Sequence, residues 1–149
     1  MNEQEIHHLL YDIPENVDYT DISQELDLED VPKERVDKLR DLLHSDDLAV
    51  RFDAALLLTN WGVEDGLNTL IDLFEKGETK GFIPHHLHPY DDTNKHILDA
   101  LIGYWASQTD LHKEQEARKR IYPTIISIIK QAVHSAYSIA QIGFLIKKI

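Results

Sequence analysis

Apolar residues recur every three or four positions along most of the chain after Lys33, and this spacing constrains the fold more than any other feature. It is the i, i+3/4, i+7 pattern of an amphipathic helix, whereas a half-buried strand alternates at every second residue. The periodic runs lie at 36–43, 50–61, 63–74, 97–105, 121–133 and 139–149. The pattern predicts an all-α fold, even though the last two runs are rich in isoleucine, which is common in strands.

Glycines and prolines separate these runs and set the lengths of the connections. Short turns are predicted at 45–47 and near His134, as expected for antiparallel helix hairpins. The connection over 77–93 is much longer. Long ordered loops in small domains often carry function, so this connection is a candidate for part of a site.

The second informative feature is a concentration of negative charge at the N-terminus, in residues 1–32, which we call the acidic segment. Ten of the 27 carboxylates lie there and the first lysine or arginine is Lys33, so the segment supplies −10 of the net charge of −12. Clustered charge steers an oppositely charged partner and speeds its association. The same acidity disfavours direct binding to nucleic acid or to anionic membranes. We therefore expect a basic protein as the partner.

The length of 149 residues fits one domain with a substantial core. We expect the acidic segment to pack on the helical body, residues 33–149, or to edge it. Within the segment, apolar residues near Ile6 and Ile22 predict two short helices with a loop between them. An alternative is that the basic residues of 113–120 pair with the acidic segment and neutralise it.

Cysteine is absent from the sequence, which excludes disulfides, thiolate zinc sites and cysteine nucleophiles. The N-terminus has no basic region followed by a long apolar region, so no signal peptide is predicted. The apolar runs are too short to span a bilayer. We therefore expect a cytoplasmic protein, and the sequence leaves its oligomeric state open.

Residues 39–58 carry a motif that resembles a HEAT repeat. A double leucine ends the first predicted helix, an aspartate turn follows, and Val-Arg and paired alanines open the second helix: Leu42, Leu43, Asp46, Asp47, Val50, Arg51, Ala54 and Ala55. Asp47 can cap the second helix, and small alanines allow neighbouring helices to approach. The resemblance further implies that Arg51 pairs with a turn aspartate of the adjacent repeat.

The resemblance is strongest over 36–74, partial over 64–105, and limited to helical period and length over 114–148. It implies a short right-handed HEAT-like α-solenoid of about three antiparallel helix pairs. Small acidic HEAT-like proteins resemble immunity proteins of bacterial toxin–immunity systems, including those of contact-dependent growth inhibition. That likeness implies an inhibitor that covers the active or nucleic-acid-binding face of a toxin, commonly a basic nuclease. The alternative is a HEAT-like adaptor or regulatory scaffold for a cellular protein.

Potential metal ligands concentrate in and just after the long connection: His85, His86, His88, Asp91, Asp92 and His96. Imidazole and carboxylate suit zinc, but their spacing differs from known motifs such as HExxH. The alternatives are contact with a partner, or a plain loop in which Asp91 or Asp92 caps the next helix. The sequence has no nucleophile elbow and no glycine-rich phosphate loop, so we expect neither enzymatic activity nor a cofactor or metal.

The predicted partner-binding surface combines the acidic segment with the long connection. Carboxylates would take the place of phosphates toward the lysines and arginines of the partner, and tyrosines would pack at the centre. Tyr90 and Tyr104 do not occupy the apolar positions of the helical periodic pattern, so we expect both to be exposed. The predicted contact residues are Asp12, Glu15, Asp18, Tyr19, Asp21, Glu25, Asp27, His88, Tyr90 and Asp91.

Overall fold

The computed structural model describes residues 1–84 and 91–132, and the regular secondary structure in these ranges is helical. The α-helices are α1 (Glu3–Tyr11), α2 (Lys33–Leu42), α3 (Leu48–Asn60), α4 (Glu64–Glu75), α5 (Thr93–Asp110) and α6 (Glu114–Ala132). Two 3₁₀ turns, Ser23–Glu25 and Leu28–Asp30, lie between α1 and α2. The all-α prediction is confirmed for these ranges, in which no helix has the length and apolar composition needed to cross a bilayer. The helix predicted over 139–149 lies outside them, as do His85, His86, His88 and Tyr90.

Local signals explain where the helices begin. Asn2 caps α1 by accepting a hydrogen bond from the Glu5 amide at 2.8 Å. The Asp47 carboxylate caps α3, accepting from the amides of Ala49 at 2.9 Å and Val50 at 3.4 Å, so the predicted cap is confirmed. Such side chains satisfy amide groups that have no partner within the first helical turn.

Helix α3 lies at the centre of the packing, where it contacts α2, α4 and α5. Every residue from Ala54 to Thr59 is buried, which explains why this stretch is apolar on nearly all sides. Helix α5 in turn contacts α4 and α6. The expectation that Tyr104 is exposed is wrong: the residue is 7% exposed, because α5 packs against helices on more than one face.

Close approach of α3 and α4 depends on Gly66 in the first turn of α4. A Cβ atom at this position would lie 2.4 Å from the Leu58 Cβ and 3.1 Å from the Ala55 carbonyl oxygen. These distances are shorter than van der Waals contact, and the neighbours belong to a fully packed core. The absence of a side chain at Gly66 therefore sets the distance between the two helices.

Replacing Gly66 with alanine should destabilise the fold by about 1–3 kcal/mol, because the added methyl group forces the helices apart. Alanine is the better helix former by about 1 kcal/mol, so helix propensity alone predicts the opposite sign. The matched control is Gly103→Ala in α5, where the nearest neighbour is the Asn60 Oδ1 atom at 3.3 Å. Urea denaturation should show a loss for Gly66→Ala and little change or a gain for Gly103→Ala. Equal stabilisation by both would contradict this account of the contact.

Candidate functional site

The acidic segment is fixed to the helical body by buried side chains and by hydrogen bonds to its backbone. Leu10, Leu26 and Val31 belong to the same hydrophobic core as α3. Ser23 is 3% exposed and donates from its hydroxyl to the Leu10 carbonyl at 2.7 Å. The Ser23 carbonyl in turn accepts from the Trp61 indole nitrogen at 2.8 Å. Because buried carbonyls need partners, these bonds fix the course of the segment over the body.

Arg35 on α2 holds the same segment from the other side. Its Nε donates to the Leu9 carbonyl at 2.9 Å and its Nη1 to the Asp12 carbonyl at 2.8 Å. The guanidinium also lies 5.4 Å from the centre of the Trp61 ring, a cation–π contact. Burial lowers the pKa of Arg35, an effect that the nearby Asp12 carboxylate opposes. The hydrogen bonds of this cation to the segment therefore go to backbone carbonyls and not to its carboxylates.

The carboxylates of the acidic segment are exposed except for that of Asp30, which is partly buried. Their side-chain hydrogen bonds come from neutral hydroxyls and from Asn2 and His8, such as Thr20 to Glu25 at 2.7 Å. Every lysine or arginine ion pair within the described ranges joins residues beyond 32. The alternative of a segment neutralised by 113–120 is therefore not observed among the described residues. Arg120, from that run, donates instead to Asn68 at 3.1 Å.

Two grooves border the acidic segment and divide the predicted contact residues between them. Asp12 and Glu15 line the first groove, of about 520 Å³, together with residues of α1 and α2. Glu25 and Asp27 line the second groove, of about 590 Å³. Asp18 and Asp21 are exposed outside both grooves. The predicted contact acids of the acidic segment are thus distributed over two grooves and the surface outside them.

Tyr19 connects the loop of the acidic segment to the second groove. Its hydroxyl accepts from the Asp27 amide at 2.9 Å and donates to the Asp30 carboxylate at 2.8 Å, while the residue as a whole is half exposed. One carboxylate oxygen each of Asp27, Glu29 and Asp30 lie within 4.8 Å of one another. Like charges at this distance repel, so a nearby cation lowers their energy. Among the described residues, these three are close enough together to hold a metal ion.

The second groove, which we call the turn–α5 groove, lies between the two 3₁₀ turns and α5. Its carboxylates are Glu25, Asp27, Glu29 and Asp110, and none of the described residues that line it is a lysine, arginine or histidine. The buried side chains of Leu26 and Trp61 contribute to its apolar surface. Two further leucines that line it remain accessible, Leu28 at 40% and Leu111 at 60% exposure. The groove therefore combines an apolar surface with four negatively charged side chains.

The first groove, which we call the α1–α2 groove, has a different chemistry. Arg35, Lys38 and His8 line it beside its acids, and Lys38 forms an ion pair with Glu34 at 3.1 Å. Its carboxylates thus have cationic neighbours inside the groove. Of the two grooves, the turn–α5 groove has the greater excess of negative charge.

Sequence reasoning missed several residues of the turn–α5 groove. Glu29 is one of the ten acids of the acidic segment but not one of the predicted contact residues, and Asp110 and Leu111 lie far from it in the sequence. Leu28 and Leu111 do not occupy positions of the periodic apolar pattern. A leucine outside that pattern is a candidate for an exposed apolar contact, and this was the signal in the sequence for both. Their proximity depends on how α5 packs against α3, which the sequence pattern does not specify.

Asp91, predicted as a partner contact, binds the two ends of the long connection. Its carboxylate accepts from the Gly81 amide at 2.8 Å and from the Thr93 amide at 3.0 Å. The Thr93 hydroxyl also donates to it and accepts from the Ile83 amide at 2.9 Å. Asp92, the residue directly before α5, makes no capping hydrogen bond with its side chain, whereas Asp91 accepts from Thr93, the first residue of the helix. His88 and Tyr90 lie outside the described residues.

Arg51 departs from the expectation that accompanied the HEAT motif. Within the described ranges it forms no ion pair with an aspartate, and its buried Nε has no hydrogen-bond partner. In the following turn, Asp91 accepts from the loop and from the start of α5 instead.

Comparisons of the chain with protein-family models, with curated proteins and with solved structures found no match.

Replacing Ser23 with alanine should leave the Leu10 carbonyl without its buried donor and cost about 1–3 kcal/mol. We expect the amides of the acidic segment to lose more protection than those of α3 and α4 in hydrogen exchange. Thr109→Ala on α5 is the control, because it removes an exposed hydroxyl that bonds within its own helix, to the Trp105 carbonyl. Uniform loss of protection over the whole chain would contradict a specific role in docking the segment.

Replacing Asp91 with asparagine should cost about 1 kcal/mol at neutral pH, since the site is largely solvent-screened. Burial acts to raise the pKa of Asp91, but hydrogen bonds from Thr93 and Gly81 outweigh it and leave the pKa below its usual value. A lowered folded-state pKa stabilises the protein above the unfolded-state pKa of about 3.9, and this stabilisation disappears as pH falls through the folded-state pKa. Thermal denaturation should show a constant difference from wild type at pH 5–7 that shrinks below about pH 4. A difference independent of pH would exclude the charged hydrogen bonds as its cause.

Proposed function

We propose that this chain is a non-enzymatic binding protein that neutralises a basic protein partner. In the most specific form of the proposal it is an immunity protein in the cytoplasm. It would inhibit a cognate toxin domain, such as a nuclease, by covering the toxin's active or nucleic-acid-binding face. One observation carries the proposal: the acidic segment is docked through its backbone and core residues. Its carboxylates, apart from that of Asp30, remain exposed, and none of them pairs with a lysine or arginine of the described ranges.

Docking improves the segment as a binding surface for two physical reasons. A segment already ordered on the body loses less conformational entropy on association than a free tail would. Carboxylates held in fixed positions along the segment also produce a local negative field, which raises the association rate with a basic partner at low ionic strength. A nuclease binds polyanions, so an array of fixed carboxylates can compete for the same basic face.

The arrangement of helices supports the HEAT-like part of the proposal. Most of the contacts join elements that follow one another or are two apart in the chain, such as α3 with α5 and α4 with α6. Contact between neighbouring units is the rule in solenoids, whose surfaces commonly bind other proteins. A third pair formed by α6 and the residues after it would complete the proposed solenoid.

Reversing the charge of Asp18, Asp21 and Asp27 to lysine should slow association with the basic partner about tenfold at low salt and weaken its salt dependence. The partner is first isolated by using this protein as bait at low and at high salt. Stopped-flow mixing of the purified pair then gives the association rate.

The matched control reverses Asp41, Glu75 and Glu116, which are exposed acids of the helical body, and so changes the net charge equally. We expect a much smaller effect on the rate from the control. Equal effects would mean that only net charge matters, and no effect from either would refute electrostatic steering. Capture of a neutral protein that is indifferent to salt would favour the adaptor alternative.

A further inference from the structure

We infer that the turn–α5 groove is the docking site for a segment of the basic partner that presents an aliphatic side chain next to lysine or arginine. The inference rests on the proposed function in one respect, the basic character of the partner. It goes further by naming the groove and the chemistry of the segment that occupies it.

Charge distinguishes this groove from its neighbour. Glu25 and Glu29 come from the two turns, Asp27 from the link between them, and Asp110 from the end of α5. The part of the groove wall that the structure describes carries no cationic side chain. In the α1–α2 groove, Arg35, Lys38 and His8 offset part of the negative charge. A cationic side chain that enters the turn–α5 groove thus meets four carboxylates and, among the described lining residues, no competing cation. Its charge complementarity to this groove is therefore stronger than to the α1–α2 groove.

Apolar surface in the same groove argues against a purely electrostatic contact. Leu28 and Leu111 are among the large apolar side chains that remain substantially exposed in the described ranges, and both line this groove. Leu26 and Trp61 extend the apolar surface inward. Covering an aliphatic group between them removes apolar area from water on both partners, which is a favourable contribution that added salt does not screen.

The shape of the groove fits a side-chain cluster of a protein partner. Its volume of about 590 Å³ lies within the range of about 300–1,000 Å³ typical of ligand sites. Gly103 and Ala106 keep the α5 wall free of large side chains. On the opposite side, the Trp61–Ser23 hydrogen bond holds the turns in place, so the groove exists before the partner arrives.

The test uses a synthetic peptide in place of the partner, a short amphipathic helix of leucine, alanine and lysine. A second peptide of equal charge carries serine in place of leucine, and a third carries glutamine in place of lysine. Titration into the ¹⁵N-labelled full chain is followed by NMR. We expect the leucine–lysine peptide to bind most tightly, with shifts centred on the amides of Gly103, Ala106 and Leu111.

Leu111→Ser should weaken binding of the leucine–lysine peptide about tenfold, the expected effect of losing one buried aliphatic side chain. Asp110→Asn should weaken it several-fold, and more at low salt than at high salt. Tyr122→Ser and Glu116→Gln on α6 are the controls, since they remove an exposed apolar group and an exposed acid elsewhere. We expect the controls to bind like wild type. Leu111 is 60% exposed, so its replacement should leave the NMR spectrum of the folded chain otherwise unchanged.

The groove assignment is overturned if the serine peptide binds as tightly as the leucine peptide, or if the control variants weaken binding as much as Leu111→Ser. It is also overturned if a captured basic partner depends on the acidic segment but tolerates Leu111→Ser. In that last case the proposed function survives without the groove. Conversely, peptide binding at the groove without any basic partner in the bait experiment would support the groove and refute the proposed function.

Discussion

The indole N–H of Trp61 donates to the carbonyl of Ser23, which lies 38 residues earlier in the chain. The Ser23 hydroxyl donates to the Leu10 carbonyl. The Arg35 guanidinium lies over the same indole and donates to the Leu9 carbonyl near the end of α1. Removing any member leaves a buried carbonyl or donor without a partner, which is costly in an apolar interior. The position of the acidic segment, and of both grooves that border it, depends on this set of contacts.

Docking so many carboxylates on one segment has an electrostatic cost that the core must offset. Exposed charges are screened by salt over about 10 Å, so their mutual repulsion is modest at each site. Burial of Leu10, Leu26 and Val31 contributes about 1.5–3 kcal/mol for each side chain. This apolar contribution holds the segment on the body while its carboxylates stay at the surface. A chain under no pressure to present that charge could relieve the repulsion with a few lysines.

At the long connection a carboxylate has the opposite role: it holds the backbone in place. There the Asp91 carboxylate is used internally, by Gly81 and Thr93, and its charge stabilises the loop. In the acidic segment the backbone is held by Ser23, Trp61 and Arg35, and most of the carboxylates are exposed to solvent. An exposed carboxylate therefore supports the proposed binding surface only where other residues hold its backbone in place.

The sequence by itself determined the helical fold class of the described residues, the cap at Asp47 and the acidity of residues 1–32. Each of these depends on local spacing or composition, which a linear pattern records directly. Tertiary structure decided that Tyr104 is buried, that Arg51 lacks its expected partner, and that Asp110 and Leu111 join Leu28 and Glu29 in one groove. These outcomes depend on how α5 packs against α3 and on the hydrogen bond from the Trp61 indole to the Ser23 carbonyl, which lies far away in the sequence. Contacts between residues far apart in the chain leave no periodic signal in the sequence.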